Sequence, residues 1–350
     1  MKTLFTSDYC EGALPRIIKR LQETNMVQTV GYGEDEYCAQ ARELIRSACG
    51  RDDVDVHFLV GGTQTNATVI SSILKPYQGV LCAESAHINV HETGAVEHGG
   101  HKILTLPSSD GKITAEQIDL AVASHFCDGN HEHMVMPGMV YISYATEFGT
   151  IYSRGELEAI SKECRDNDIP LFIDGARLGY GMAASELVHG DDALTLKDFA
   201  RLADIFYIGG TKQGALFGEA VVITNDALKP DFRYCIKQGG GMLAKGRLLG
   251  IQFAALFEDD LYMEASCRAV GQAARIRKAF EAKGIGFLVD SPTNQVFPVL
   301  TEDQMNYFSE NFGFEVWTTL PDGRTCVRFC TSWATPEANV NLLINAIKKL

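Results

Sequence analysis

The sequence predicts an α/β fold: a mostly parallel central sheet with helices on both faces, plus a smaller C-terminal α+β domain. Two observations carry that expectation. Short apolar runs alternate with helical patterns through the first two thirds of the chain, as strands and crossover helices do in a layered α/β sheet. Near residue 246 the texture changes to one long helical region followed by short strand-like pieces.

Taken in order, His57 to Gly62 reads as a strand ending on glycines, and a helix follows from Thr65 through Leu74. Val80–Ala83 and Met139–Tyr144 are further strands, and Gly155–Cys164 carries apolar residues at helical spacing. Pro170–Asp174, Ala203–Ile208 and Ala220–Thr224 complete the apolar runs of the first part. Arg247 to Lys283 reads as one largely helical region rich in Ala, Leu and Arg. Phe287–Asp290, Gln295–Leu300, Glu315–Trp317 and Thr325–Cys330 are strand-like, and a final helix opens with Pro336 at its first position. The expected division is a large domain over 1–245, with segment 1–14 able to pack near the small domain, and a small domain over 246–350. No repeat or low-complexity linker separates them.

The 350 residues suffice for a sizeable core. A formal charge of −14 argues against nucleic acid or an anionic membrane as the main partner, while leaving room for a local basic pocket around a small anion. No apolar run approaches the roughly 18 residues of a membrane span, and the first ten residues lack the apolar core of a signal peptide. Ten cysteines are scattered without a C-x-x-C pair. That usage suits a reducing compartment, and the cytoplasm is expected.

Two phosphate motifs are rejected. Gly31-Tyr-Gly-Glu-Asp-Glu lacks the third glycine of G-x-G-x-x-G, and Gly209-Gly-Thr-Lys lacks the P-loop spacing. Val60-Gly-Gly-Thr-Gln-Thr-Asn-Ala is more informative. Glycines at a strand's end before a Thr/Asn-rich helix start gather free N–H groups for an anion; an N-capped helix after a tight turn reads equally well. Asp174 ends a central strand, where α/β sheets bind ligands. It can hold a positively charged ring nitrogen, and Arg177 beyond it can grip a carboxylate; a structural Asp–Arg pair is the plain alternative. Lys212 leaves an apolar strand inside a glycine-flanked loop, where lost hydration lowers an amine's pKa and exposes a nucleophile. The anion-binding turn, strand-end acid and loop lysine are together what pyridoxal phosphate needs. His87 and His91, four apart, lack a compact third ligand, so no metal is expected.

With these residues in hand, the sequence resembles the L-threonine aldolase and β-eliminating lyase family of fold-type-I pyridoxal-phosphate enzymes. The resemblance runs over nearly the whole chain: Thr6-Ser7-Asp8, Tyr32 to Asp35, Gly62-Thr63-x-x-Asn66, Ala86-His87-Ile88, Asp174-Gly-Ala-Arg177, Thr211-Lys212, Gly239 to Met242 and Val327-Arg328. It implies that Lys212 binds pyridoxal 5'-phosphate as an imine, that Asp174 pairs with the ring nitrogen, and that His87 stacks on the ring. Gly62, Thr63 and Asn66 would hold the phosphate, and Ser7, Arg177 and Arg328 the substrate carboxylate. The implied reaction is cleavage of L-threonine or L-allo-threonine to glycine and acetaldehyde, in a homodimer or homotetramer. Two departures stand out. Many threonine aldolases carry Asn-Thr-His where this chain has Ala145-Thr146-Glu147, so the base falls to Glu147, His87 or a water. Arginine often follows the Gly-Gly-Gly-Met segment, but Leu243 stands here, with Lys245 either reaching a neighbouring subunit's phosphate or simply lying at the surface. The alternatives are β-elimination or aldol cleavage of another β-substituted amino acid on the same cofactor and, from a different class, a non-catalytic binding protein.

Overall fold

A computed structural model describes residues 2–350. A two-residue strand β1 (Thr3–Leu4) opens the chain. Seven strands build the main sheet: β2 (Asp55–Leu59), β3 (Gln78–Ala83), β4 (Lys102–Leu106), β5 (Met136–Ser143), β6 (Leu171–Asp174), β7 (Ile205–Gly209) and β8 (Glu219–Ile223). Their order across the sheet is β2-β8-β7-β6-β5-β3-β4. Only β8 runs against its neighbours, pairing antiparallel with both β7 and β2. Strands β6, β7 and β8 are buried at every residue, which explains their apolar character, broken by charge only at Asp174 and Glu219 on the strand ends. β4 is the strand that sequence pattern left unassigned; at the sheet's edge its burial is only partial, so its apolar signal is weak.

The small sheet holds β9 (Gln295–Val296), β10 (Val299–Leu300), β12 (Glu315–Thr319) and β13 (Thr325–Cys330), while β11 (Phe312–Gly313) pairs with β1. A second core forms under it around Phe280, Phe308 and Phe329, and Phe5 from the N-terminal segment joins that core. The changeover between the two cores falls inside the helix Leu261–Glu281: Ala269 and Val270 pack into the large core, Ala273 and Ile276 into the small one. No helix among the described residues is long and apolar enough to cross a membrane.

Several local expectations change. The region from Arg247 is two helices, Arg247–Phe257 and Leu261–Glu281, broken where Asp259 and Asp260 take left-handed φ of 52° and 57°. Phe287–Asp290 is not a strand; Phe287 makes one isolated bridge to Pro298, whose ring also splits β9 from β10. Pro336 is the N-cap of the last helix, not its first residue. The helix expected from Thr65 begins at Gly62, on glycines that pattern reading assigns to a turn.

Glycines decide how β6 and β7 end. The N–H of Gly209 donates to the carbonyl of Gly175 at 2.9 Å. A Cβ on Gly175 would lie 1.8 Å from the Tyr207 carbonyl oxygen, and one on Gly209 2.5 Å from that of Ala176. Side chains are excluded because backbone meets backbone. Gly175→Ala should therefore cost about 3 kcal/mol or more and lower Tm by several degrees. Gly155→Ala, at a helix position with open space around it, should be neutral or stabilising by up to about 1 kcal/mol. Equal melting of both variants would show that the approach of the two backbones is not tight.

Candidate active site

The side-by-side ends of β6 and β7 place Asp174, at the end of β6, and Lys212, three residues past β7, on the wall of one open cleft of about 950 Å³. Gly62, Thr63, His87, Glu147, Arg177, Tyr207 and Glu219 also border it. An adjoining hollow shares Tyr9, His87, Glu147, Arg177 and Lys212 with this cleft and adds His91, Trp317 and Arg328.

Asp174 receives four donors: the hydroxyls of Tyr141 and Tyr207, the Asn66 amide at 3.0 Å and the Ala176 N–H at 2.9 Å. Burial alone would raise its carboxyl, but the tyrosine hydroxyls and the nearby His87 outweigh it, and the group is held below the ordinary carboxylate range. It is an anion inside the protein. The two tyrosines move the other way: burial first, then the Asp174 charge, raises both phenols well above their usual range.

Lys212 is half-buried, and no side chain among the described residues pairs with its Nζ. Its backbone carbonyl is fixed by the Tyr180 hydroxyl at 2.6 Å. Burial lowers the pKa of its ammonium, Arg177 adds to that, and Asp8, Asp174 and Glu219 oppose it. The net result is an amine easier to deprotonate than a surface lysine.

The helix Gly62–Ile73 has no side-chain cap at its N-terminus, so backbone N–H groups there lack protein acceptors, as an anion site requires. A Cβ on Gly62 would come within 3.3 Å of the Tyr207 hydroxyl that serves Asp174. Thr63 borders the cleft, but Asn66 does not. Expected in the anion cradle, Asn66 instead lies one turn into the helix, fully buried, with its amide on Asp174 and on Glu92 at 2.7 Å.

Arg177 lines both hollows and is held from behind by Asp8, Nε to Oδ2 at 2.7 Å and Nη2 to Oδ1 at 3.1 Å. Asp8 is fully buried, and Arg177 outweighs the upward pull of that burial on its carboxyl. Arg328, from β13, donates to the Thr6 carbonyl at 3.0 Å and to Gln295 Oε1 at 3.2 Å, and sits 5.4 Å over the Trp317 ring. Its Nε is buried without a partner. Ser7 borders neither hollow; its hydroxyl lies 3.2 Å from Cys10 Sγ. Lys245 is exposed and also away from both. Glu147 is at the site: Oε1 accepts from the His87 N–H at 3.0 Å and the Ser143 hydroxyl at 2.8 Å, and burial raises its carboxyl.

Sequence reasoning missed Glu219, Tyr141, Tyr207, Tyr9 and Glu92. Glu219 leaves a trace, as the one charge opening an otherwise apolar strand. The strand tyrosines leave none, because tyrosine packs in strands for many reasons. Glu219 Oε1 accepts from the Thr211 hydroxyl at 2.9 Å and Oε2 from the Gly210 N–H at 3.2 Å, and burial pushes its carboxyl up to about 8. The donor set as a whole suits a ligand with an anionic end, a cationic ring nitrogen and an aldehyde able to condense with an amine.

The chain matches the model of the β-eliminating lyase family over residues 5–303. It is 31% identical to the low specificity L-threonine aldolase of a Pseudomonas species, over 98% of this chain and 96% of the relative. The solved Leishmania major threonine aldolase superposes with a TM-score of 0.94 at 43% identity, covering 99% of both chains. A Thermus thermophilus aspartate aminotransferase, at 12% identity and a TM-score of 0.70 over 99% of this chain and 91% of its own, shares the fold.

Glu219 yields a pH test. Folded, it keeps its proton to about pH 8 against an ordinary value of 4.5. The folded state thus binds the extra proton across that window, so stability falls as pH rises through it and levels off above. Glu219→Gln, neutral throughout, should gain on wild type between those pH values, by a few kcal/mol at the upper end. Melting curves of the two cofactor-free proteins against pH check this; parallel curves would show that Glu219 ionises normally.

Proposed function

Because this chain belongs to the β-eliminating lyase family, we propose that it is a pyridoxal-phosphate-dependent carbon–carbon lyase that cleaves L-threonine or L-allo-threonine to glycine and acetaldehyde. One observation carries the reading: an aspartate kept anionic by four donors and a desolvated lysine with an unpaired amine face the same cleft. The fit to the cofactor rests on these groups. Asp174 would meet the pyridine nitrogen, Lys212 the aldehyde carbon, and Gly62 and Thr63 at the uncapped helix end the phosphate. When bound, the cofactor supplies a sink for the electron pair released at Cα.

The chain's own residues do the rest. Arg177 and Arg328 take the substrate carboxylate, fixing rotation about the Cα bonds so that the Cα–Cβ bond is the one aligned to break. Asp8 holds Arg177 from behind, which limits its freedom to one hydrogen-bonding face toward the cleft. Lys212 would accept and return a proton at Nζ, which its lowered pKa favours. Two further features belong to the proposal: a homodimer or homotetramer, supported by exposed Met26 and Val30, and a cytoplasmic setting, supported by ten free thiols.

Glu147 favours a second reading. Desolvation raises its carboxyl above the ordinary range, and a carboxyl so shifted can protonate a leaving group, as β-elimination requires. A panel of L-threonine, L-allo-threonine, L-serine and L-cysteine, assayed with the cofactor for acetaldehyde, pyruvate and ammonia, separates the two. Acetaldehyde with glycine is expected; pyruvate without acetaldehyde would overturn the aldolase reading. Lys212→Ala should fold, leave the cofactor untrapped by borohydride and lower kcat by about 10³-fold or more. Full turnover by that variant would refute the lysine's role.

A further inference from the structure

Behind the cleft runs a line of buried polar groups that the proposed reaction leaves without a task. Asn66 stands between two carboxylates, donating from Nδ2 to Asp174 Oδ2 at 3.0 Å and to Glu92 Oε1 at 2.7 Å. The amide must point this way, since its oxygen would face two carboxylate oxygens. The same Glu92 oxygen lies 2.8 Å from His87 Nδ1. Glu92's side chain has no exposed surface, while that of His87 is 35% exposed and borders both hollows.

A carboxylate only accepts, so the proton shared by Glu92 and His87 belongs on Nδ1. Nε2 is then a bare acceptor, and no protein group among the described residues bonds to it. Glu147 borders the same hollows but is less free to accept a proton. Its Oε1 is occupied by the His87 N–H and the Ser143 hydroxyl, and burial favours its protonated form.

We propose that Glu92 is a positioning residue that locks His87 in the Nδ1–H tautomer, making His87 Nε2 the acceptor of the substrate's β-hydroxyl proton; this rests on the aldolase reading above. In the step, the substrate O–H bond breaks and an N–H bond forms at Nε2. The pair left on oxygen becomes the carbonyl of the departing aldehyde, and the Cα–Cβ pair stays with the glycine half. The imidazolium so formed faces the Glu92 carboxylate, which stabilises it as a buried carboxylate does behind a catalytic histidine. Asn66 ties that carboxylate to Asp174, so the proton acceptor and the ring-nitrogen anchor share one rigid support.

Two measurements test this. In cofactor-free wild type, ¹⁵N NMR of the neutral His87 ring should report a protonated Nδ1 and a bare Nε2, a preference that Glu92→Ala should abolish. In the cofactor-loaded enzyme, Glu92→Gln should lower kcat on L-threonine about 10- to 100-fold, with KM within about twofold and partial recovery in Glu92→Asp. An Nε2–H tautomer in that wild-type sample overturns the inference whatever the variants do. So does a Glu92→Gln enzyme with wild-type kcat. Failure of wild type to release acetaldehyde would instead overturn the aldolase reading, and the tautomer result would still show whether Glu92 positions His87.

Discussion

The contact on which the site depends is between two backbones. Gly209 donates to the carbonyl of Gly175 at a point where a methyl group on either residue would strike main-chain oxygen. β6 and β7 can therefore end side by side, and the turns beyond them, one opening just after Asp174 and the other bearing Lys212, leave around a shared space. Neighbouring strands then serve the same acid by register. β5 pairs Ser143 with Asp174 and presents Tyr141 from below, and β7 presents Tyr207. An acid and an amine far apart in sequence become parts of one cleft because two glycines carry no side chain.

Charge at the site follows from the number and kind of donors rather than from burial alone. Asp8, Asp174 and Glu219 are buried and Glu147 is half-buried, yet the four carboxyls divide into two classes. Asp174, with four donors, and Asp8, with a two-pronged arginine and the Asn294 amide, are held as anions. Glu147 and Glu219 have two donors each, and for them the desolvation cost prevails. The cleft thus sets carboxylates held as anions beside carboxyls whose pKa is raised, which tempers the negative charge of its wall in an acidic chain.

The outer wall needs both cores. Arg177 comes from the large sheet and Arg328 from the small one, and the N-terminal segment joins them. Asp8 holds Arg177, the Thr6 carbonyl holds Arg328, and Asn294 beside β9 donates to Asp8 at 2.9 Å. Phe5 anchors that segment in the small core, and its carbonyl accepts from the Cys330 N–H at 2.8 Å. The spacing of the two guanidinium groups is therefore a property of how the parts pack, and a loosened N-terminal segment would free both arginines together.

The central strands, the Asp174–Arg177 turn and the Lys212 loop were legible because their causes are local. A strand buried on both faces must be continuously apolar, and a lone charge at its end stands out against it. The edge strand β4, the break at Asp259 and the loss of Phe287–Asp290 as a strand were not, since partial burial and single dihedrals leave little pattern. The partners of each functional group were also hidden. Asn66 could be read as an anion ligand until the fold turned its amide onto two carboxylates, and Glu219 and Glu92 acquired neighbours only through pairing across the sheet and helix packing. The order of residues by itself determined which groups can do chemistry, because side-chain type and strand periodicity are written along the chain. Tertiary structure alone decided their protonation and orientation, because both depend on distances between residues that sequence separates.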